Sequence, residues 1–272
     1  MKLELRDLQK PADSLREVLR GFLDALHEDI AKLEEDTPTR IHDIRVGTKK
    51  LRALLRLAGD LVPEEDAKKF GDILREIRNT FAGSRDKEVM RTRLEQLFPL
   101  EQAAAAVTLL GLTAEEETEK PDTTRPAELA GELKAQIEPL PLDALTSLHL
   151  VENATDSYRK ARKLLRKNKK APENDLMHEW RKRTKDVCYH AIALSELKPA
   201  KKLADPLDAL AELLGEYHDL AILEERSQNH PHLINVISAR KKDLEKSCFK
   251  AARKIFETPP SEFQRKFRRA LQ

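Results

Sequence analysis

The sequence predicts an all-α protein, and three observations carry that prediction. Leu, Ala, Glu, Lys and Arg dominate a chain of 272 residues in which aromatics make up only 4% and glycines number eight, a composition of long helices rather than sheets. Apolar residues recur at helical steps, and no β-branched stretch alternates at period two. Prolines stand at helix-sized intervals, at Pro11, Pro38, Pro63, Pro172, Pro199 and Pro231, each where a first helical turn tolerates a residue without an N–H. The length allows one large domain or two modest ones, each with its own core.

The elements follow in order. A first helix is expected over about 12–35, just after Pro11, and a second over about 38–60, with Thr37 as its N-cap. In that second helix Ile44, Leu51, Leu55 and Ala58 share one side and read as its packing face. A third runs over about 63–81 and a fourth over about 85–110, interrupted or kinked at Pro99. The Pro- and Thr-rich stretch "EKPDTTRP" at 119–126 reads as a linker. Further helices are expected at about 127–138, 141–170, 172–198, 200–216, 219–228 and 231–257, with an amphipathic piece near 260–271. Long helices joined by short connections imply antiparallel neighbours and hence four-helix bundles.

The side of the second helix opposite its apolar face is basic. His42, Arg45, Lys49, Arg52 and Arg56 recur at steps of three and four, which places all five on one stripe. Solvated helix faces usually mix signs, because like charges one turn apart cost a few tenths of a kcal/mol per pair. An unmixed stripe of about 14 residues, roughly 21 Å long at 1.5 Å per residue, suits an extended polyanion. Arg grips such oxygens in a fork and Lys acts as a point charge.

The motif recurs. "IHDIRVGTKKLR" (41–52) corresponds to "MHEWRKRTKDVC" (177–188), so that His42, Arg45 and Lys49 match His178, Arg181 and Lys185. Downstream, "FAGSRDKEVM" (81–90) corresponds to "LGEYHDLAIL" (214–223), matching Arg85 with His218 and Asp86 with Asp219. Each half thus reads as a His-x-x-Arg-x-x-x-Lys helix, then another helix, then a small-residue turn ending in Asp. A duplicated bundle with pseudo-two-fold symmetry is the simplest account. Residues 1–120 and 121–272 form the expected halves, their stripes facing each other across one basic central groove. The second stripe is shorter, because Asp186 and Cys188 stand where the first half has Lys50 and Arg52.

The near-neutral total of +2 conceals a separation of signs: acid gathers in "AEEETEK" (114–120), and base in 40–56 and in "YRKARKLLRKNKK" (158–170). Of the latter, Arg159, Lys163 and Arg166 share a face, and Arg159 and Lys163 are candidate extensions of the groove. Two cysteines, Cys188 and Cys248, make no disulfide framework, and no Cys/His cluster has zinc spacing. No apolar run resembles a signal peptide or a membrane span, so a cytoplasmic protein is expected. Asp86 and Asp219 are expected to cap helices or brace an arginine of the stripe, and Trp180 and Tyr189 to pack.

The elements "HDIRVGTKKLR", "HEWRKRTK", "SRD" and "YHD" resemble the CHAD family, the conserved histidine α-helical domain, and the resemblance extends over nearly the whole chain. It implies two antiparallel four-helix bundles related by a pseudo-two-fold, with basic residues lining a central groove. It also implies binding of inorganic polyphosphate and association with polyphosphate granules or with triphosphate-tunnel enzymes that metabolise phosphate compounds. On this chain the implied binding residues are His42, Arg45, Lys49, Lys50, Arg52 and Arg56 in the first half and His178, Arg181 and Lys185 in the second.

Two other function classes remain in view. One is an enzyme or metal protein using His42 and His178, for which the neighbouring cations are unfavourable because they repel a metal ion. The other is a nucleic-acid binder, which lacks interleaved aromatics for stacking bases and so is not expected to be specific. There is no P-loop, no carboxylate cluster placed for Mg²⁺ and no Ser or Cys beside a base. A non-catalytic binder without cofactor, metal or membrane partner is expected. Because cationic neighbours depress an imidazole and a bound polyanion does the reverse, His42 and His178 are expected to gain protons on binding.

Overall fold

The computed structural model of the protein describes residues 2–81, 83–113 and 122–272, with the backbone alone at 83–86. The acidic 114–120 segment, the start of the expected 119–126 linker, and the side chains of Arg85 and Asp86 lie outside the described residues. The helices are α1 (Pro11–Ala31), α2 (Thr37–Ala58), α3 (Glu64–Thr80), α4 (Gly83–Leu97), α5 (Leu100–Leu109), α6 (Thr124–Ile137), α7 (Ser147–Asn168), α8 (Asn174–Ala193), α9 (Lys198–Arg226), α10 (Pro231–Ile255) and α11 (Pro260–Ala270). No strand occurs among the described residues, as the composition requires. Nor is any helix among them long and apolar enough to cross a membrane.

Most helix starts follow the prolines, which occupy the first turn of α1, α2, α9, α10 and α11. The cap of α2 differs from expectation. Asp36 is the N-cap, its carboxylate accepting from the Thr39 N–H at 3.4 Å, while the Thr37 hydroxyl donates to the Leu33 carbonyl. A carboxylate one residue earlier takes the cap because it also complements the positive end of the helix dipole. Helix α7 starts at Ser147, later than expected, behind a capping box in which Thr146 and His149 satisfy each other's backbone N–H.

Helix α9 is one continuous helix through Gly215–Asp219, where a break at 216–219 was expected. A lone glycine costs a helix only about 1 kcal/mol, and Leu214, Tyr217, Leu220, Ala221 and Leu223 keep the helical period of buried residues through it. Asp219 is therefore a mid-helix residue and not a cap.

The helices close into two rings. In the first, α2 and α6 each pack on α1 and α3; in the second, α8 and α11 each pack on α7 and α9. Helix α10 lies outside the second ring on α9, and the α4–α5 pair docks through α4 on α9 and α2. Helix α6 belongs to the first ring, although the boundary expected at 120/121 assigns it to the second half. The chain crosses between the rings through 138–146, a connection containing a 3₁₀ turn at Leu142–Ala144. The N-terminal segment crosses back. Leu3, Leu5 and Leu8 are buried, the Leu5 N–H donates to the Ala193 carbonyl at 2.9 Å, and the Leu8 N–H donates to Glu196 Oε2 at 3.1 Å.

At the end of α2, Gly59 takes φ 67° and ψ −133°, a region that residues with a Cβ avoid. A Cβ there would also collide with the side chain of Asn153 of α7, which is fixed by donating to the Leu57 carbonyl at 3.0 Å. Gly59→Ala should destabilise the fold by about 1–3 kcal/mol, read as a lower urea midpoint at unchanged slope. Adding Asn153→Ala relieves the collision but not the backbone strain, so it should recover only part of the loss.

Candidate functional site

Helices α2 and α8, the two that carry the repeated motif, pack directly on one another. A buried imidazole ties them: His190 Nε2–H of α8 donates to the Ala53 carbonyl of α2 at 2.8 Å. Complete burial lowers the His190 pKa and keeps the ring neutral. Ala53 and Leu51 have no exposed surface, so the helix axes come close enough for side chains of one stripe to feel the other. The sequence left His190 unassigned, because nothing in its neighbourhood reveals a partner 137 residues away.

Lys49 sits half-buried at the centre of this seam. Burial, then the charges of Arg181, Arg45, Lys185 and Arg78, lower its amine to about 7. Arg45 and Lys49 of α2 therefore share one field with Arg181 and Lys185 of α8, as the facing stripes require. Arg78 of α3 joins them, and the sequence missed it because its helix carries no copy of the motif.

The two arginines of the repeat reach matched segments of the chain. Arg45 Nη1 donates to the Phe81 carbonyl at 3.3 Å. The Arg181 guanidinium lies across Gly215, where a Cβ would stand 3.7 Å from Nε. Residues 81–82 and 214–215 are matched in the internal repeat. Burial lowers the Arg181 pKa, and the charge of Asp219 opposes that shift. Asp219 is held in turn by Arg93 of α4, whose Nη2 lies 3.1 Å from its Oδ2. From within α9 the Asp219 carboxylate thus favours the charged form of Arg181 through its field.

The remaining sequence candidates divide. Arg52 turns toward α3, donating from Nη2 to the Gly71 carbonyl at 3.3 Å. Arg56 pairs with Asp186 of α8 at 2.9 Å, and Arg183 holds the other oxygen of the same carboxylate at 3.3 Å. The residue that interrupts the second stripe therefore links the two motif helices. Lys50, a candidate through the family resemblance, lies over the Phe22 ring of α1, 5.3 Å from its centroid. Lys185 is half-buried and His42 is exposed. Arg159 is exposed and paired with Asp156, and Lys163 is exposed; neither lines the cleft of about 1010 Å³ between α2, α3 and α7. Lys160 lines it instead, with Arg52, Arg56, Arg75 and Arg183. Glu64, Asp72, Glu152 and Asp156 line it too, so its field is mixed, unlike the field around Lys49.

His178 lies against His218 of α9 with ring centroids 4.0 Å apart and the rings tilted by 30°. Burial, then Lys182 and Arg181, lower His178 to about 4. Burial, then His178, Arg181 and Lys182, lower His218 to about 3. Both rings are neutral donor-acceptor groups near pH 7. Arg52 Nε, Arg181 Nε and His178 Nδ1 are buried without a hydrogen-bonding partner among the described residues. The same holds for Trp180 Nε1, Thr184 Oγ1 and His190 Nδ1 of α8, for Asn168 Oδ1 of α7 and for Ser227 Oγ, although native structures rarely leave buried polar atoms unsatisfied. Among the described residues no three His, Cys, Asp or Glu side chains converge as a metal-holding group.

A family model described as the CHAD domain matches residues 10–228. The crystal structure of the CHAD domain from the plant Ricinus communis is similar over 98% of this chain and 94% of that chain, with a TM-score of 0.60 at 17% identity. At that identity the likeness concerns the fold. No match was found among curated proteins.

Lys49 titrates near 10.5 as an ordinary lysine and near 7 in the folded protein, so between those values the unfolded chain holds the extra proton and stability rises with pH. Lys49→Met removes that dependence. The stability difference between wild type and variant should therefore change by up to about 2 kcal/mol between pH 7.5 and 9.5. A pH-independent difference in urea unfolding would mean that Lys49 is a solvated lysine.

Proposed function

We propose, on the premise that this chain belongs to the CHAD family, that it binds inorganic polyphosphate or a similar linear polyanion without chemistry, along the seam between α2 and α8. The observation that carries this reading is the field around Lys49: burial together with four surrounding cations lowers it to about 7. A folded protein keeps such crowding where an anion relieves it. Phosphoryl oxygens threaded between Arg45, Lys49, Arg181 and Lys185 would neutralise all four and restore Lys49 to full charge. The orphaned Nε of Arg181 supplies a donor of the kind that phosphate oxygens accept.

The charge pattern also suits a chain of phosphates better than a single one. Lys49 and Lys185 are point charges, whereas Arg45 donates to a carbonyl and Arg181 feels the charge of Asp219, so a ligand would meet planar forks flanking adaptable lysines. Localisation in the cytoplasm, residence on polyphosphate granules and recruitment of a phosphate-metabolising enzyme extend the same reading.

Affinity for long-chain polyphosphate should fall steeply with salt. By analogy with single-stranded nucleic acid, four neutralised phosphates give a log–log slope of roughly −3. Replacing Arg45 and Lys185 by Gln should flatten that slope, and replacing Arg45, Lys49, Arg181 and Lys185 together should abolish binding, while helicity by circular dichroism stays intact. Unchanged binding by the quadruple variant would place the site elsewhere. With Mg²⁺ present, polyphosphate chain length on a gel should stay constant; reproducible shortening would overturn the non-catalytic reading.

Binding also takes up a proton at Lys49. Affinity should weaken as pH rises from about 7 to 9, approaching one decade per pH unit for one linked proton, and level off below about 7. Lys49→Gln should flatten this profile. The imidazoles of His178 and His218, at about 4 and 3 in the free protein, add a second rise only toward acid pH, a lower window than the sequence suggested.

A further inference from the structure

We infer that a pocket at the C-terminal end of the second ring binds an anionic amphiphile with one hydrocarbon chain, of the fatty-carboxylate class. The pocket is an open depression of about 600 Å³ between α7, α9, α10 and α11, a volume typical of small-molecule sites. Its walls are apolar: Leu203, Ile255, Phe263 and Phe267 stand over Tyr158. The aromatic wall is ordered by stacking, with the Phe263 ring 4.2 Å from both Tyr158 and Phe267. The Tyr158 hydroxyl is engaged with the Ile255 and Thr258 carbonyls, so the wall offers no donor for reading a base or a sugar. Hydrocarbon is what such a surface accepts.

The rim has one sign. Lys198, Lys202, Lys254, Lys266 and Arg269 surround the opening, and no carboxylate lines it. Lys266 pairs with Glu262 at 3.1 Å; among the described residues no carboxylate within ion-pair distance engages Lys198, Lys202, Lys254 or Arg269. Lys198, Pro199 and Lys202 lie in the first turns of α9, so the positive end of a 29-residue helix adds to the field at the mouth. An apolar well with a purely cationic mouth is complementary to a tail bearing one anionic head.

This pocket is separate from the seam. Pro199 and Gly215 are 16 positions apart on α9, roughly 24 Å at 1.5 Å per residue. The walls from Ile255, Phe263 and Phe267 also lie beyond residues 10–228, the part matched by the family model. The inference is therefore independent of polyanion binding.

Titrating the full chain with octanoate, decanoate and dodecanoate below their micellar range tests it by calorimetry. Each added methylene should tighten binding about fourfold, the Boltzmann equivalent of its transfer from water. Dodecanol should bind more weakly than dodecanoate. Lys202→Gln combined with Lys254→Gln should weaken dodecanoate several-fold, leaving dodecanol, polyphosphate affinity and the circular dichroism spectrum unchanged. Affinity independent of chain length, dodecanol as tight as dodecanoate, or displacement of dodecanoate by polyphosphate would overturn the inference. So would retention on anionic phosphatidylglycerol vesicles without binding of monomeric carboxylate, which would point to a membrane surface.

Discussion

Two helices that each carry a row of cations can lie side by side only where something other than those cations holds them. Here α2 and α8 are held by the His190–Ala53 hydrogen bond and by Asp186, which sits between Arg56 and Arg183. The N-terminal segment adds a strap from the first ring to the end of α8. Each device is uncharged, or spends its carboxylate on an arginine at the margin of the cation cluster. The middle of the seam is left positive. Polar contacts that fix the helices are thereby separated from the cations whose repulsion they withstand.

That separation sets the electrostatics. A lysine beside four cations and half out of water loses its proton near neutrality because both effects disfavour the charged form. Asp219 could have quenched the cluster, but Arg93 engages it from α4, and it acts on Arg181 from the side. The orphaned nitrogens of Arg52, Arg181 and His178 are the other sign of incompleteness, since each buried donor or acceptor left unmatched costs about 1–3 kcal/mol.

The two rings share a plan but not a periphery. Arg45 donates to the carbonyl of residue 81 and Arg181 lies across residue 215, each in a segment that the sequence repeat matches. The fourth helix of each ring comes from a different position in the chain order, α6 in the first and α11 in the second. Using α11 as the closing helix leaves α10 outside, and the open apolar pocket with the basic rim lies at the corner where α10 ends and α11 begins.

The sequence by itself determined the helical class, most helix starts and the pairing of α2 with α8. Composition, first-turn prolines and a repeated motif act locally, through backbone propensity and a 3.6-residue period that any helix obeys. It placed Arg45, Lys49, Arg181 and Lys185 together for the same reason. Tertiary structure decided the rest. The motif period alone could not show that Lys50 would turn to Phe22, that Arg56 would meet Asp186, or that Arg78 would arrive from a helix lacking the motif, because each depends on what the facing helix offers. The continuity of α9 through Gly215 was likewise decided by packing on α8 and α10, which outweighed a weak local signal. The acidity of Lys49 needed four cations from three helices and exclusion of water, and no stretch of chain contains those together.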